Sequence, residues 1–533
     1  MENSKFNPEK VGRKSGEYHP SLWGDYFITN NPTFYAKQKS KSWMKQRAEE
    51  LKDEVKKKLH TTSDLHESMS LIDAIQHLGI DYHFTKEIDE ALDHLYNTEL
   101  KSFALHEVAL RFRLLRQQGF PIIVTHLGLL SLYNAAYLGI HVEKILDEAI
   151  SFSRIHLESK AKDLKPPLAN EVSRALVTPL QRRLKRLEAR YYISDYEMED
   201  KRDDAILELA KLDFNLVQSL HCEELKNISI WWNDLGLKDK LCYLRDRIVE
   251  LYFWISGVCF EPDYSHARMI ATKVIVLTCI LDDTYDVYAT LEECRALTDA
   301  IQRLGIYMQV DMEAIDQLPT YLKDYFHKLI STFEEFEDEL ALEDKYRVSY
   351  LREMYKSVAK VYHNETEWYA HDYTPTFEEH LQTSIISTAY PMLICACFVG
   401  MGNVATKEAF EWVLSIPEAV RASALVSRLM DDITSSEHEK KRGHCASTLE
   451  SYMKEHNTTK EVVVAKIRSM IEDAWKTINQ AILKPTDVPM PLIERVANFT
   501  RVMEIIYKNL DGFTNSPYLK EFISLLFVQP IAI

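Results

Sequence analysis

Two acidic stretches hold the residue types that could do chemistry. In the first, 280–286 (ILDDTYD), Asp282, Asp283 and Asp286 follow the apolar run 274–281, and no Gly or Pro occurs from 263 to 303. That composition predicts a helix, on which Asp282 and Asp286 share a face about 6 Å apart along the axis while Asp283 points about 100° away. Two aligned carboxylates suit a hard divalent cation, because Mg2+ takes oxygen ligands, sheds water reluctantly and is commonly held by one or two carboxylates plus substrate phosphates. A solvated acidic face fits the same three residues. The apolar run favours a site, since a helix apolar all round is buried and carboxylates beside it need a positive partner.

The second stretch is 428–439 (RLMDDITSSEHE), in which Asp431, Ser435 and Glu439 recur every fourth residue. On a helix they drift by only about 40° per step and form one oxygen-bearing stripe. Residues 415–418 (SIPE) read as a capping box and no Gly or Pro follows Pro417 until Gly443, which predicts one helix from Val420 to about Lys441. Glu437 and Lys440 mark part of it as solvated, so this stripe too has a surface reading. Two stripes facing each other across a helical bundle would hold a small Mg2+ cluster. Upstream, Arg245 and Arg247 precede the aromatics 252–254 (YFW). Arginine is suited to phosphate by its permanent charge and bidentate fork, although these two taken by themselves read first as ion pairs to Asp246 or Glu250. Carboxylate stripes, arginines and aromatics together describe a site for a diphosphate whose hydrocarbon tail lies in an aromatic pocket.

The elements that must position these residues are helical. The chain of 533 residues has 14 Gly and 17 Pro, where average usage would give about 37 and 27. With no alternating strand pattern, this predicts an all-α protein, long enough for at least two domains. A net charge of -17 argues against general nucleic-acid binding. Eight cysteines without a C-x-x-C pair read as reduced, mostly buried thiols. The N-terminal residues lack an apolar core and carry acids, so no targeting segment is expected, and the apolar stretch 390–401 is too short to span a bilayer. Residues 1–30 form a polar arm. Met44, Ala48, Leu51, Val55 and Leu59 then open a series of amphipathic helices; Ile88, Leu92, Leu95 and Tyr96 mark another, and 211–232 is the expected passage to a second unit without a flexible linker. Residues 290–293 (TLEE) form a capping box that ends the aspartate-bearing helix near Ala289.

The motifs resemble those of plant class I terpene synthases, most closely the cytosolic sesquiterpene branch. DDTYD (282–286) is similar to that family's aspartate-rich motif and DDITSSEHE (431–439) to its second metal motif. HPSLWGDYF (19–27), LGIDYHF (78–84), RFRLLRQQGF (111–120), LDFNLVQSLH (212–221), LRDRIVELYFW (244–254) and LESYMKEH (449–456) extend the likeness nearly end to end. The resemblance implies an N-terminal arm or lid (1–30), a non-catalytic helical domain (31–211) and a C-terminal catalytic bundle (212–533). It implies three Mg2+ ions, with Mn2+ as a substitute, on Asp282, Asp286, Asp431, Ser435 and Glu439. It sets Arg245, Arg247 and Arg428 at the diphosphate, Trp254 and Tyr390 in the cavity wall, and Tyr507 and Asp511 near Asp431 at its floor. Arg13 and Lys14 with Trp23 resemble a loosened form of the family's paired-arginine and tryptophan motif. Three departures stand out: the stretch after Phe120 is short, as though a helix were missing; Phe513 stands where relatives often carry Tyr; and no D-x-D-D motif occurs.

The implied activity is that of a carbon–oxygen lyase: Mg2+-dependent ionisation of farnesyl diphosphate, cyclisation or rearrangement of the carbocation, and loss of diphosphate. The expected partner is a prenyl diphosphate, with no nucleic acid and no membrane span, and the protein is expected to be a cytoplasmic monomer. Rival readings are a mono- or diterpene synthase using geranyl or geranylgeranyl diphosphate, a chain-elongating prenyl diphosphate synthase, and a non-catalytic helical scaffold or inactive relative. An elongase carries two D-D-x-x-D motifs, whereas the second here is Asp431-Asp432-Ile433-Thr434-Ser435.

Overall fold

The computed structural model describes residues 18–30, 40–98, 105–122, 129–305, 315–442 and 445–533, with backbone alone for 105 and 436–442. Among them there is no strand. Arg13 and Lys14, and the side chain of Glu439, lie outside the described residues.

The first helices form as their periodicity dictates. Lys41–Thr61 starts at Ser40, whose hydroxyl accepts the Trp43 N–H at 3.2 Å, and buries Met44, Ala48, Leu51, Val55 and Leu59. Leu65–His77 stops before Gly79, whose φ of +69° only glycine adopts without strain; a Cβ there would also come within 2.9 Å of the Ala189 Cβ. Thr85–Asn97 buries Ile88, Leu92 and Leu95, while Tyr96 faces outward. Inside the arm, a short helix, Tyr26–Thr29, packs on the long helix Asp204–Leu235.

Asp204–Leu235 is the beam that joins the two ends of the molecule. Asp203 caps its start and Gly236, at φ +64°, ends it. It packs against Lys41–Thr61 on one side and against Ile248–Val258 and Lys520–Phe527 on the other. A boundary at residue 211 therefore falls inside one continuous helix, and both units share its buried faces.

The C-terminal bundle is centred on Tyr390–Val399, all ten residues of which are buried. Around it stand Ser265–Asp283, Tyr346–Ala370, Glu418–Arg442 and Met490–Ile506. Between Phe377–Ser387 and Tyr390–Val399 the chain breaks at Ala389, held at φ +59°. Two described stretches, Pro262–Tyr288 and Phe377–Val399, are long and apolar enough to cross a membrane by length and composition, the second extending the apolar stretch at 390–401. Their apolar windows are 72% and 78% buried against other helices, which makes them core elements of the bundle. All eight cysteines are free thiols, six of them buried.

Candidate active site

The first acidic wall is built at the end of Ser265–Asp283. The helix does not run on regularly: Thr284–Tyr288 forms one wider turn, in which the Ala289 N–H reaches back five residues to the Thr284 carbonyl at 2.8 Å. The capping box at Thr290 and Glu293 then starts the next helix, as the sequence predicts. Within the wide turn, Thr284 meets the Tyr243 hydroxyl at 2.8 Å and Tyr285 meets Thr298 at 2.6 Å, so both are anchored in the bundle.

Arg245 organises this wall. Its Nη2 donates to Asp282 Oδ2 at 2.6 Å, its Nε lies 2.7 Å from Asp283 Oδ1, and its backbone N–H donates to Asp283 Oδ2 at 2.9 Å. Asp282 is about one-third exposed, whereas Asp283 is buried. Burial pushes the Asp283 carboxyl upward and the Arg245 charge pulls it back. Asp282 and Asp283 thus meet on one guanidinium, so it is burial that separates their roles, and what Asp283 orients is Arg245. The Tyr18 hydroxyl also donates to Asp283 Oδ1 at 3.3 Å, and the Arg245 guanidinium lies over the rings of Tyr18 at 5.2 Å and Phe513 at 4.8 Å.

The second wall is the helix Glu418–Arg442. The capping box expected at 415–418 is replaced by another start: Ser415 donates its hydroxyl to the Trp412 carbonyl, and Pro417 supplies the first helical acceptor, to Arg421 N–H at 2.9 Å. Arg428 Nη1 lies 3.4 Å from Asp431 Oδ2 and 3.2 Å from Asp432 Oδ1. Asp432 is buried and accepts the Thr448 N–H at 2.8 Å. Ser435 is also buried, and its Oγ makes no hydrogen bond among the described residues.

Trp254 closes the floor between the walls. Its ring meets those of Tyr390, Tyr507 and Phe513 edge to face, with centroids 6.4, 6.1 and 6.0 Å away. Tyr390 donates its hydroxyl to the Phe499 carbonyl at 3.1 Å. Burial and then the charges of Asp431 and Asp511 raise the Tyr507 phenol, which Arg245 pulls the other way. Tyr507 therefore lies within reach of charges from both walls. Asp511 accepts the Thr514 N–H at 2.9 Å and fixes the C-terminal turn.

Arg247 is placed differently from Arg245. It is fully buried, with Nε donating to the Phe513 carbonyl at 3.2 Å and Nη2 to that of Thr514 at 3.4 Å, and it joins the C-terminal turn to the base of the first wall. The reading of 244–247 as ion-paired to Asp246 is met only through that residue's backbone carbonyl, 2.9 Å from Arg247 Nη1.

The donor set fits a hard cation. Among the described residues no three His, Cys, Asp or Glu converge into a closed cage; the oxygens are divided between two walls, as suits a cation that shares its coordination sphere with a diphosphate. The orphaned, buried Ser435 Oγ is the kind of group that such a ligand role would explain.

Sequence reasoning missed Tyr18, because the arm has no periodicity to read, and Asp432, whose only signal was its place in a second Asp-Asp pair.

Residues 233–477 match the terpene synthase family, metal binding domain, and residues 22–127 and 122–176 match the terpene synthase, N-terminal domain. The two N-terminal segments meet where the chain is short after Phe120. The chain is 49% identical over 545 residues to an alpha-humulene synthase of Zingiber zerumbet, covering 98% of each chain. Among solved structures, a limonene synthase with 2-fluorolinalyl diphosphate superposes with a TM-score of 0.89 at 31% identity, covering 98% of this chain and 100% of that one. An isoprene synthase from grey poplar, in complex with three Mg2+ ions and dimethylallyl-S-thiolodiphosphate, superposes with a TM-score of 0.83 at 30% identity, covering 92% of this chain and 98% of that one.

Proposed function

This chain belongs to the terpene synthase family, and from that premise we propose that it is a sesquiterpene synthase, which ionises farnesyl diphosphate and closes or rearranges the resulting carbocation. The observation that carries the reading is the pairing of two walls, Arg245 with Asp282 and Arg428 with Asp431, across an aromatic floor centred on Trp254. The higher identity to a humulene synthase than to a limonene synthase supports a fifteen-carbon substrate.

The residues divide the work. Arg245 and Arg428 would meet the charge that develops on the departing diphosphate, where fixed cations act most strongly. Asp282, Asp286, Asp431, Ser435 and Glu439 would hold Mg2+, which when bound supplies Lewis-acid neutralisation of the diphosphate oxygens. Trp254, Tyr390 and Tyr507 present ring faces and edges to the hydrocarbon, and a cation above such a ring gains about 0.5–2 kcal/mol. Burial keeps Tyr390 and Tyr507 as neutral phenols, so neither attacks the cation as a phenolate. Tyr18, seated on Arg245, would help to exclude water from this wall when substrate is bound.

The test is incubation with geranyl, farnesyl and geranylgeranyl diphosphates plus Mg2+, products being identified by gas chromatography and mass spectrometry. A sesquiterpene formed preferentially from the farnesyl substrate is expected. A requirement for isopentenyl diphosphate would identify an elongase, and no diphosphate release from any substrate would overturn the enzyme reading.

A further inference from the structure

Away from the acidic walls, a cavity of about 570 Å³ lies where the N-terminal helices meet the C-terminal bundle. Leu65–His77 and Leu105–Gln117 border it on one side, Lys460–Ile482 and Met490–Ile506 on the other. Its volume is that of a small-molecule site. Six buried side-chain atoms of its lining have no hydrogen-bond partner among the described residues: Gln76 Oε1, His77 Nδ1, Asp81 Oδ1, Gln181 Nε2, Glu188 Oε1 and Trp475 Nε1, of which His77 Nδ1 and Glu188 Oε1 lie 3.9 Å apart. Buried polar groups are satisfied in the large majority of cases, so the cluster calls for an occupant.

Charge says which kind. The lining carboxylates Glu188, Glu261 and Glu494 meet Arg183 at 2.7 Å, Arg495 at 2.7 Å and Lys185 at 2.5 Å; Lys185 also lies 3.6 Å from Asp81, and Asp89 and Asp263 complete the acidic lining. Burial pushes the Asp81 carboxyl up, towards its neutral form. Arg501 stands apart from the paired cations. Its Nε donates to the Gln181 carbonyl at 2.8 Å and its Nη1 to Asn498 Oδ1 at 2.6 Å, and among the described residues no carboxylate lies within ion-pair distance, although the Glu494 charge reaches it. Gln181 has its side-chain oxygen taken by Gln117 at 2.9 Å, which leaves its amide N–H groups unused. A guanidinium without an ion-paired carboxylate among the described residues and an amide short of an acceptor therefore border a space whose other wall is Trp475, Ile478, Ile482 and Met490.

We propose that this cavity binds a small amphipathic anion, whose carboxylate or phosphate group accepts from Arg501 and Gln181 and whose apolar body lies against Trp475, Ile478 and Ile482. The helix that presents Arg501 ends at Tyr507, so the ligand would sit on the element that leads into the catalytic floor.

Isothermal titration of the full-length protein without Mg2+, with octanoate and octyl phosphate as separate probes, tests this. One probe or both should bind at a single site, with affinity at least about tenfold weaker in Arg501→Met, partly restored in Arg501→Lys and unchanged in Arg428→Met. Octanoate alone would identify a carboxylate ligand, octyl phosphate alone a phosphate. Should Arg501→Met fail to fold by circular dichroism, Gln181→Leu is expected to weaken binding in the same way. Absence of binding by both probes at millimolar concentration, or binding lost in Arg428→Met and retained in Arg501→Met, overturns the proposal and leaves the cavity to water.

Discussion

The two acidic walls use the same two-residue device with different supports. In each, the first aspartate of a pair faces the pocket and the second is buried beneath an arginine: Asp282 over Asp283 with Arg245, Asp431 over Asp432 with Arg428. Arg428 belongs to the same helix as its aspartates, three and four residues earlier, so the second wall exists once that helix forms. Arg245 comes from a separate segment and is sandwiched between Tyr18 of the arm and Phe513 of the C-terminal turn. The first wall thus needs four stretches of chain to come together, the second only one helix and Thr448. The contrast teaches that the first wall depends on Tyr18 and on the C-terminal turn, whereas the second does not.

Removing the arginines should have the largest effect. Arg245→Ala and Arg428→Ala are each expected to lower kcat/KM by about 10²–10³ through lost stabilisation of the leaving group. If the comparison holds, Arg245→Ala also lowers the melting temperature more: both variants leave a buried aspartate without its arginine, but only Arg245 is also packed on Tyr18 and Phe513. Equal melting temperatures would break the distinction.

Next come the buried aspartates. Asp283→Asn keeps an acceptor for the Arg245 N–H but removes the buried charge, and should cost about tenfold in kcat with about 1–3 kcal/mol of stability. It should remain the mildest in activity of substitutions at Asp282, Asp283 and Asp286. Asp432→Asn should behave alike while leaving the arm undisturbed. Limited proteolysis at the N-terminus distinguishes the two, with faster cleavage expected only for Asp283→Asn.

Tyr18→Phe is a smaller change. It deletes the hydrogen bond to Asp283 and keeps the ring on Arg245, so turnover should fall by about two- to fivefold with more water-quenched alcohol among the products. Gas chromatography of the products reads both effects.

The smallest effect belongs to the support of the first wall. Glu250 is fully buried, neither of its carboxylate oxygens has a hydrogen-bond partner among the described residues, and burial pushes it up to about 7. A group raised in the folded state contributes stability that is complete below its unfolded value of 4.5 and is lost as pH climbs through 7. The loss by pH 8 is about 3 kcal/mol. Glu250→Gln should therefore raise the melting temperature by about 2–3 °C at pH 8 and scarcely at pH 4.5, by scanning calorimetry. An equal shift at both values would sink the assignment.

The local parts of this architecture were legible in the sequence. The stripe Met44 to Leu59, the capping box at Thr290 and the helix carrying Asp431 all follow from propensity and period, which act over a few residues. The wide turn at Thr284–Tyr288 was not, because it depends on Tyr243 and Thr298 reaching Thr284 and Tyr285 from elsewhere in the bundle. Nor was Arg247's attachment to the C-terminal turn, since a guanidinium that binds carbonyls 266 and 267 residues away leaves no local pattern. The roles of Arg245 and Arg428 came from composition and likeness, and only packing distinguishes a wall assembled from distant segments from one built on a single helix.

The measurement that tests the paired-wall site most directly is Mg2+-dependent diphosphate release from farnesyl diphosphate by the wild type, Asp282→Ala and Asp431→Ala, with folding monitored by circular dichroism. Release by the wild type and its loss in both folded variants is the predicted result. Release unchanged in either variant would contradict the site.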